Sequence, residues 1–352
     1  MSAASPSPAL RRVLITGGAG FLGTHLARRF RADGIAVRLL DVADPEAVHD
    51  PSVEYVRGDV RDATVVGAAL RGVDVVVHAA FASPRHPENV ITGINVGGMR
   101  AVCEVALVQG ARVVLISSTI VTRTLRRHPL FRTGPLTQLD LYRQSRAEAE
   151  AVATEYRALG LSIAIVRPKT FIGPERVGAF AIVFEWIRLG RPVVVLGRGG
   201  NRYQLLDTRD MADGIRLLAS RATDALFFFG AREFKTVRED LQALLDHART
   251  GARLRFVPAP IARLAIRSLE LAGAAPLSEW HYMSAAGRDS VVDVSPAERT
   301  LGWRPTRSNA QALIEAYDWY VGTVRDTGSA RTTHPVPLVH RALKRLTRIL
   351  PG

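Results

Sequence analysis

Cysteine and lysine are nearly missing from this chain of 352 residues: Cys103 stands alone, and only Lys169, Lys235 and Lys344 occur among 47 basic residues. A lone thiol excludes an internal disulfide, and no second cysteine or suitably spaced histidine completes a metal site, so no metal is expected. A reducing, cytoplasmic setting is the simplest reading. Long apolar runs are also missing, and none approaches the ~18 residues that a membrane span requires. Met1 to Leu10 is rich in Ser, Pro and Ala but lacks the apolar centre of a signal peptide; it reads as a short disordered leader.

Acidic residues are outnumbered, 33 against 47, and the formal net charge is +14. Clustered cations would suit a nucleic-acid backbone. Most of these arginines are spread singly along the chain, which points to an arginine habit rather than a dedicated patch, and no nucleic-acid partner is expected. Hydrophobic residues make up 47% and charged residues 23%, an ordinary balance for a packed globular protein.

The densest signal is Val13-Leu-Ile-Thr-Gly-Gly-Ala-Gly-Phe-Leu-Gly23. A β-rich run breaks into Gly17, Gly20 and Gly23 at G-x-x-G-x-x-G spacing, and a helix-like segment from Thr24 to Ala32 follows. Strand, tight turn and helix in that order make a phosphate cradle: glycines permit φ > 0 and close approach, and the helix start offers N–H donors. A second β-rich run, Ala36 to Leu40, closes on Asp41. A carboxylate at that point can accept hydrogen bonds from adenosine ribose hydroxyls and repels a 2′-phosphate, which favours NAD over NADP.

Strand and helix signals continue to alternate. Val53 to Val56 leads into Gly58-Asp59, where Asp59 either bonds an adenine edge or caps the helix that runs to Leu70. Val73 to Ala80 is a near-continuous apolar strand ending in small residues, Ala79 and Ala80, that would let a cofactor lie against the backbone; His78 within it reads as a packed or backbone-bonded histidine. Asn95 opens a helix-like run to Leu107, and the strand Arg112 to Ile116 ends at Ser117-Ser-Thr119. Tyr142 to Arg146 begins the next helix, and these two residues, four apart, share one face. The alternation predicts an α/β fold with a doubly wound parallel sheet of the Rossmann kind.

At these residues the chain resembles an extended short-chain dehydrogenase/reductase of the NAD-dependent epimerase/dehydratase family. Matching pieces run in order from Thr16 to Gly23 through Asp41, Gly58-Asp59, His78 to Ala80, Asn95 to Gly98, Ser117 to Thr119, Tyr142 with Arg146, and Arg167 to Pro174. Asp207 to Asp213 and Leu301-Gly-Trp-Arg-Pro305 resemble later family segments, so the likeness covers about Arg11 to Tyr320. It implies NAD as cofactor, held by Gly17, Gly20, Phe21, Leu22, Gly23, Asp41, Asp59, Val60, Ala79, Ala80, Asn95, Arg146 and Pro168. It also implies catalysis by Tyr142, Arg146, Thr119 and Ser118, with Asn95 supporting the site or its proton path. One departure stands out: the family pattern is Tyr-x-x-x-Lys, and here the fourth residue is Arg146, which keeps the charge but not the compact ammonium.

The resemblance divides the chain into a nucleotide-binding part over 11–175 and a substrate lobe over 176–325 that interleaves with the sheet near 205–231. Val177 to Leu189 reads as a helix, Pro192 to Leu196 and Ala225 to Phe229 as strands, and Gln311 to Tyr320 as a closing amphipathic helix. Arg202 stands where related sugar-nucleotide enzymes place a phosphate-binding arginine, whereas Lys169-Thr170 replaces the asparagine that many of them carry. Arg123, Arg126, Arg127, His128 and Arg132 form a basic loop that either grips an anionic substrate or is simply solvated. Past a linker, residues 338–350 would put apolar side chains on one side of a helix and Arg341, Lys344, Arg345 and Arg348 opposite; this helix lies on an anionic membrane or docks on its own domain or a dimer partner. The expected assembly is a homodimer. The expected activity is epimerisation or dehydration of a sugar nucleotide; the alternatives are a hydroxysteroid-dehydrogenase-like or ketoreductase-like enzyme for an apolar or lipid-linked substrate, and an NAD-binding protein without chemistry.

Overall fold

Strands that read as unbroken apolar runs need cover on both faces, and the helices between them supply it. The computed structural model describes residues 10–44, 50, 52–84, 86–121, 138–178, 180–258, 260–261 and 287–327. The leader, the Arg123 to Arg132 loop and the tail beyond residue 327 lie outside these residues.

In chain order the first elements are β1 (Arg12–Thr16), α1 (Phe21–Ala32), β2 (Ala36–Asp41), β3 (Glu54–Arg57), α2 (Ala63–Leu70), β4 (Val75–His78), α3 (Glu88–Thr92), α4 (Gly98–Gln109), β5 (Arg112–Ile116), α5 (Gln138–Ala158) and β6 (Ile163–Pro168). There follow β7 (Phe171–Ile172), α6 (Phe180–Arg188), β8 (Val193–Leu196), β9 (Leu206–Asp207), α7 (Thr208–Ala219), β10 (Leu226–Phe229), α8 (Val237–Ala248), β11 (Leu254–Val257), α9 (Ser295–Leu301) and α10 (Asn309–Thr327). The chain divides into two compact units. The first takes the described residues up to Lys169, Arg209–Phe229 and Asp293–Arg304; the second takes Thr170–Thr208, the described residues from Gly230 to Val292, and those from Pro305 onward.

In the first unit seven parallel strands are ordered β10-β6-β5-β4-β1-β2-β3. The order reverses between β1 and β4, which is where a doubly wound sheet opens a crevice at the carboxyl ends of its strands. This is the doubly wound Rossmann-like sheet expected from the alternation. Val13, Leu14, Ile15, Val76, Val77, Val114 and Leu115 are fully buried or nearly so. Helix packing completes one face with Met99, Val102, Cys103, Ala149 and Val152. Burial pushes the Cys103 thiol up to about 12, so it sits in the core as a small hydrophobe.

Asn95 does not open its helix. The helix begins at Glu88, and Gly93–Gly97 form a π-helical turn between α3 and α4. The whole stretch Glu88–Gln109 is apolar and long enough to cross a membrane by length and composition, unlike any run picked out in the sequence, but Met99, Val102, Cys103 and Ala106 are buried against the sheet. Asp59 does not cap α2 either. Asp62 does, accepting the N–H groups of Thr64 and Val65, while Asp59 forks onto Arg61. At the far edge, Trp303 stacks on Phe229 with ring centroids 4.3 Å apart and donates from Nε1 to the Asp210 carbonyl, 2.9 Å away.

In the second unit β8 pairs with β11 and β7 with β9, both parallel. Its core gathers Phe184, Ile187, Leu244, Leu313, Ala316 and Tyr317. Buried Asn309 ties it together, accepting the Leu205 N–H and donating to the Tyr203 carbonyl and to Asp240.

Candidate functional site

The turn after β1 is built from backbone. Gly17 has φ +69°, and the N–H groups of Gly17 and Gly18 both donate to the Leu40 carbonyl, which binds the turn to the end of β2. A β-carbon on Gly17 would lie 2.9 Å from the Ala79 oxygen and from the Ala80 α-carbon. One on Gly23 would lie 2.5 Å from the Gly17 oxygen, so only glycine lets α1 close on the turn. Helix α1 starts at Gly20 with no side-chain cap and no acid in its first turn, although four N–H groups at a helix start need partners. Asp41 stands at the end of β2, and its carboxylate accepts the Ala19 N–H at 3.0 Å and the Ala43 N–H at 3.1 Å. An uncapped helix start beside close-packed backbone, with a carboxylate at the next strand end, fits a dinucleotide: pyrophosphate at α1 and ribose at Asp41.

At β4 the construction changes to side chains. Thr16 Oγ1 accepts the N–H groups of Ala79 and Ala80, each at 3.2 Å, and lies 2.9 Å from His78 Nδ1. With its lone pairs so engaged, the hydroxyl proton points to Nδ1, which leaves the His78 proton on Nε2. That nitrogen is buried without a partner among the described residues. Burial first, then the charge of Arg146, lowers His78 to about 3, so it is neutral.

Tyr142 and Arg146 lie on α5, which begins at Gln138, four residues before Tyr142. Arg146 is buried, 5% exposed, and donates from Nη2 to the Ile116 carbonyl at 3.0 Å, at the end of β5. Its guanidinium carbon lies 3.5 Å from the Phe81 ring centroid and 5.7 Å from that of Tyr142. Burial pulls Arg146 below the usual arginine range, opposed by Tyr142 and Glu150, yet a guanidinium stays charged. Immediately after Ile116, Ser117 donates to Glu150, which also takes a bidentate Arg167. Ser118 Oγ accepts the Ile120 N–H, and Thr119 bonds the Pro168 carbonyl through both N–H and Oγ1 at 3.3 Å. Asn95, fully buried, accepts the Ala82 N–H at 2.7 Å and donates to Ser145 Oγ at 2.8 Å.

Thus the first unit holds Gly17, Gly20, Phe21, Leu22, Gly23, Asp41, Asp59, Val60, Ala79, Ala80, Asn95, Thr119, Ser118, Tyr142, Arg146 and Pro168. Asp59, paired with Arg61 and held low in pKa chiefly by that hydrogen bond, stands as a surface ion pair. Lys169 is 4% exposed at the end of this unit. Thr170 and Arg202 belong to the second unit: Thr170 Oγ1 is 2.8 Å from Tyr203 Oη, and exposed Arg202 is forked onto Asp289. Phe81 and Tyr203 were not among the residues singled out from the sequence. Phe81 directly follows the Ala79-Ala80 pair, and its adjacency to that motif was the only signal available.

The family model of the NAD dependent epimerase/dehydratase family matches residues 13–226. The Sinorhizobium fredii protein y4nG is 31% identical over 350 residues, spanning 97% of this chain and 88% of its own. The 3 beta-hydroxysteroid dehydrogenase/Delta 5→4-isomerase of Mycobacterium tuberculosis is 27% identical over 348 residues, spanning 91% and 93%. Among solved structures, the dTDP-glucose 4,6-dehydratase DesIV of Streptomyces venezuelae, crystallised with NAD and TYD bound, superposes with a TM-score of 0.65 at 28% identity over 89% of this chain and 98% of its own.

Proposed function

The chain belongs to the NAD-dependent epimerase/dehydratase family, and on that premise we propose that it binds NAD and oxidises a hydroxyl carbon of a sugar nucleotide as part of an epimerase or dehydratase cycle. The observation that carries this reading is the bond from Arg146 to the Ile116 carbonyl, which ties the Tyr142 helix to the strand end bearing Ser118 and Thr119. NAD, when bound, supplies the acceptor for hydride and, in an epimerase or dehydratase, its return. Tyr142, as a phenolate stabilised by the fixed positive charge of Arg146, takes the proton of the substrate hydroxyl and becomes the neutral phenol. Thr119, helped by Ser118, hydrogen-bonds the same oxygen and holds it in line. Gly17, Gly20 and Gly23 hold the pyrophosphate, Asp41 the ribose, and the small side chains of Ala79 and Ala80 leave room for the cofactor.

A second reading, a dehydrogenase for an apolar alcohol, is supported by the hydroxysteroid dehydrogenase relative and by Lys169-Thr170 in place of the usual asparagine. Incubation with dTDP-glucose and with a sterol alcohol separates the two: turnover without net NADH supports the first, and accumulating NADH supports the second. In either case Tyr142→Phe is expected to lower turnover at least about 100-fold with NAD binding retained. Undiminished turnover would remove Tyr142 as the base. Native protein that binds NAD yet turns over neither class would leave it a binding protein.

A further inference from the structure

Arginine at position 146 is held in an unusual way for a buried cation. The carboxylate one helical turn along the same face of α5, Glu150, is already committed to Arg167 and Ser117. Arg146 Nε is enclosed with no hydrogen-bond partner, and no ion pair to Arg146 forms among the described residues. What remains is one carbonyl, Ile116, the Tyr142 ring at 5.7 Å and, much nearer, the face of Phe81 at 3.5 Å. That separation is well inside the ~6 Å reach of a cation–π contact, and desolvation strengthens such a contact.

The backbone carrying Phe81 is fixed on both sides. Thr16 Oγ1 holds the Ala79 and Ala80 N–H groups before it, and Asn95 Oδ1 holds the Ala82 N–H after it. The other end of the Asn95 amide bonds Ser145, the residue next to Arg146. One buried asparagine therefore sets the Phe81 segment and α5 in mutual register. We propose that Phe81 is the positioning residue for Arg146: its ring is a flat seat on which a planar guanidinium stacks more fully than an ammonium can, so the site is built around arginine. A lysine there would place a compact, strongly hydrated charge against an apolar ring and give up the planar stack.

The kinetic arm of the test rests on the proposed reaction; the spectroscopic arm does not. Phe81→Leu and the volume-keeping Phe81→Met are expected to lower kcat about tenfold or more, the scale of a desolvated cation–π contact. Both should shift the acid limb of the kcat–pH profile up by about one pH unit, with NAD affinity unchanged. Phe81→Tyr, which keeps the face, should restore native behaviour. Arg146→Lys should cost about tenfold in the native background and much less beside Phe81→Leu, because the seat is already gone. Tyrosinate absorbance, read against Tyr142→Phe, should appear at higher pH in Phe81→Leu and Phe81→Met with NAD bound. If native protein shows no turnover, this titration alone decides: a shift upholds the seat while the enzymatic reading falls. Phe81 variants that lower only the melting temperature, with pH profile and tyrosinate titration unmoved, overturn the proposal. An Arg146→Lys enzyme as active as the native one, or more so, does the same.

Discussion

The two sides of the first unit's strand-end crevice are made from different materials. Around β1 and β2 the work is done by main chain: glycines, N–H groups and one carboxylate. Around β4, β5 and α5 it is done by side chains from distant parts of the chain: Thr16, Phe81, Asn95, Ser117, Arg146, Glu150 and Arg167. Backbone sites depend on what is missing, a Cβ, and fail by collision. Side-chain sites depend on mutual satisfaction, and they fail when one partner leaves another buried and unpaired.

The sharpest break on the side-chain half is Glu150→Ala. It strands Arg167 and Ser117 in a place where the Arg167 and Glu150 side chains are each only 11% exposed, and the loss of stability should be about 3–5 kcal/mol, read by urea unfolding. The matching break on the backbone half is Gly17→Ala, which meets backbone at 2.9 Å with φ +69°. A cost of about 1–3 kcal/mol is expected, together with loss of NAD binding by calorimetry, whereas Glu150→Ala should bind NAD at temperatures where it stays folded.

His78 sharpens the contrast through pH. Its folded pKa is lowered to about 3 from an ordinary 6.5, so below pH 6.5 the unfolded chain binds a proton that the folded chain refuses. Stability is therefore full above the unfolded value and falls as pH drops, by about 1.4 kcal/mol per unit, until the folded value is reached. A His78→Asn variant should show a flatter dependence of melting temperature on pH between these limits; an identical slope would remove His78 as the source. The smallest expected effect is at α2, where Asp62→Ala should cost about 1 kcal/mol as a lost cap, and Asp59→Ala under about 0.5 kcal/mol as a lost surface pair.

The same division explains what the sequence made legible. Gly17, Gly23, Asp41 and the run of parallel strands are local signals, each readable within a few residues because backbone geometry permits few residue types there. The start of α5 at Gln138 and of α3 at Glu88 was not legible, since neither Tyr142 nor Asn95 marks a helix boundary; each sits inside an element already under way. Asp59 reads as a cap or an adenine partner, but the cap is Asp62, three residues on, which the local pattern did not single out. Phe81 under Arg146 joins positions 65 residues apart, and no local pattern announces a stack that only the fold creates.

The π-helical turn at Gly93–Gly97 carries a consequence of its own. A π turn holds one residue more than an α turn, and each helical residue advances the side-chain direction by about 100°. The helix therefore behaves as two aligned rods with an angular offset, like a key cut on two faces: Ile91 enters the core before the offset, Met99 and Val102 after it, and Asn95, at the offset itself, points to Ala82 and Ser145. Sequence drift can thus alter the apolar pattern on either rod while the amide at the joint keeps its aim.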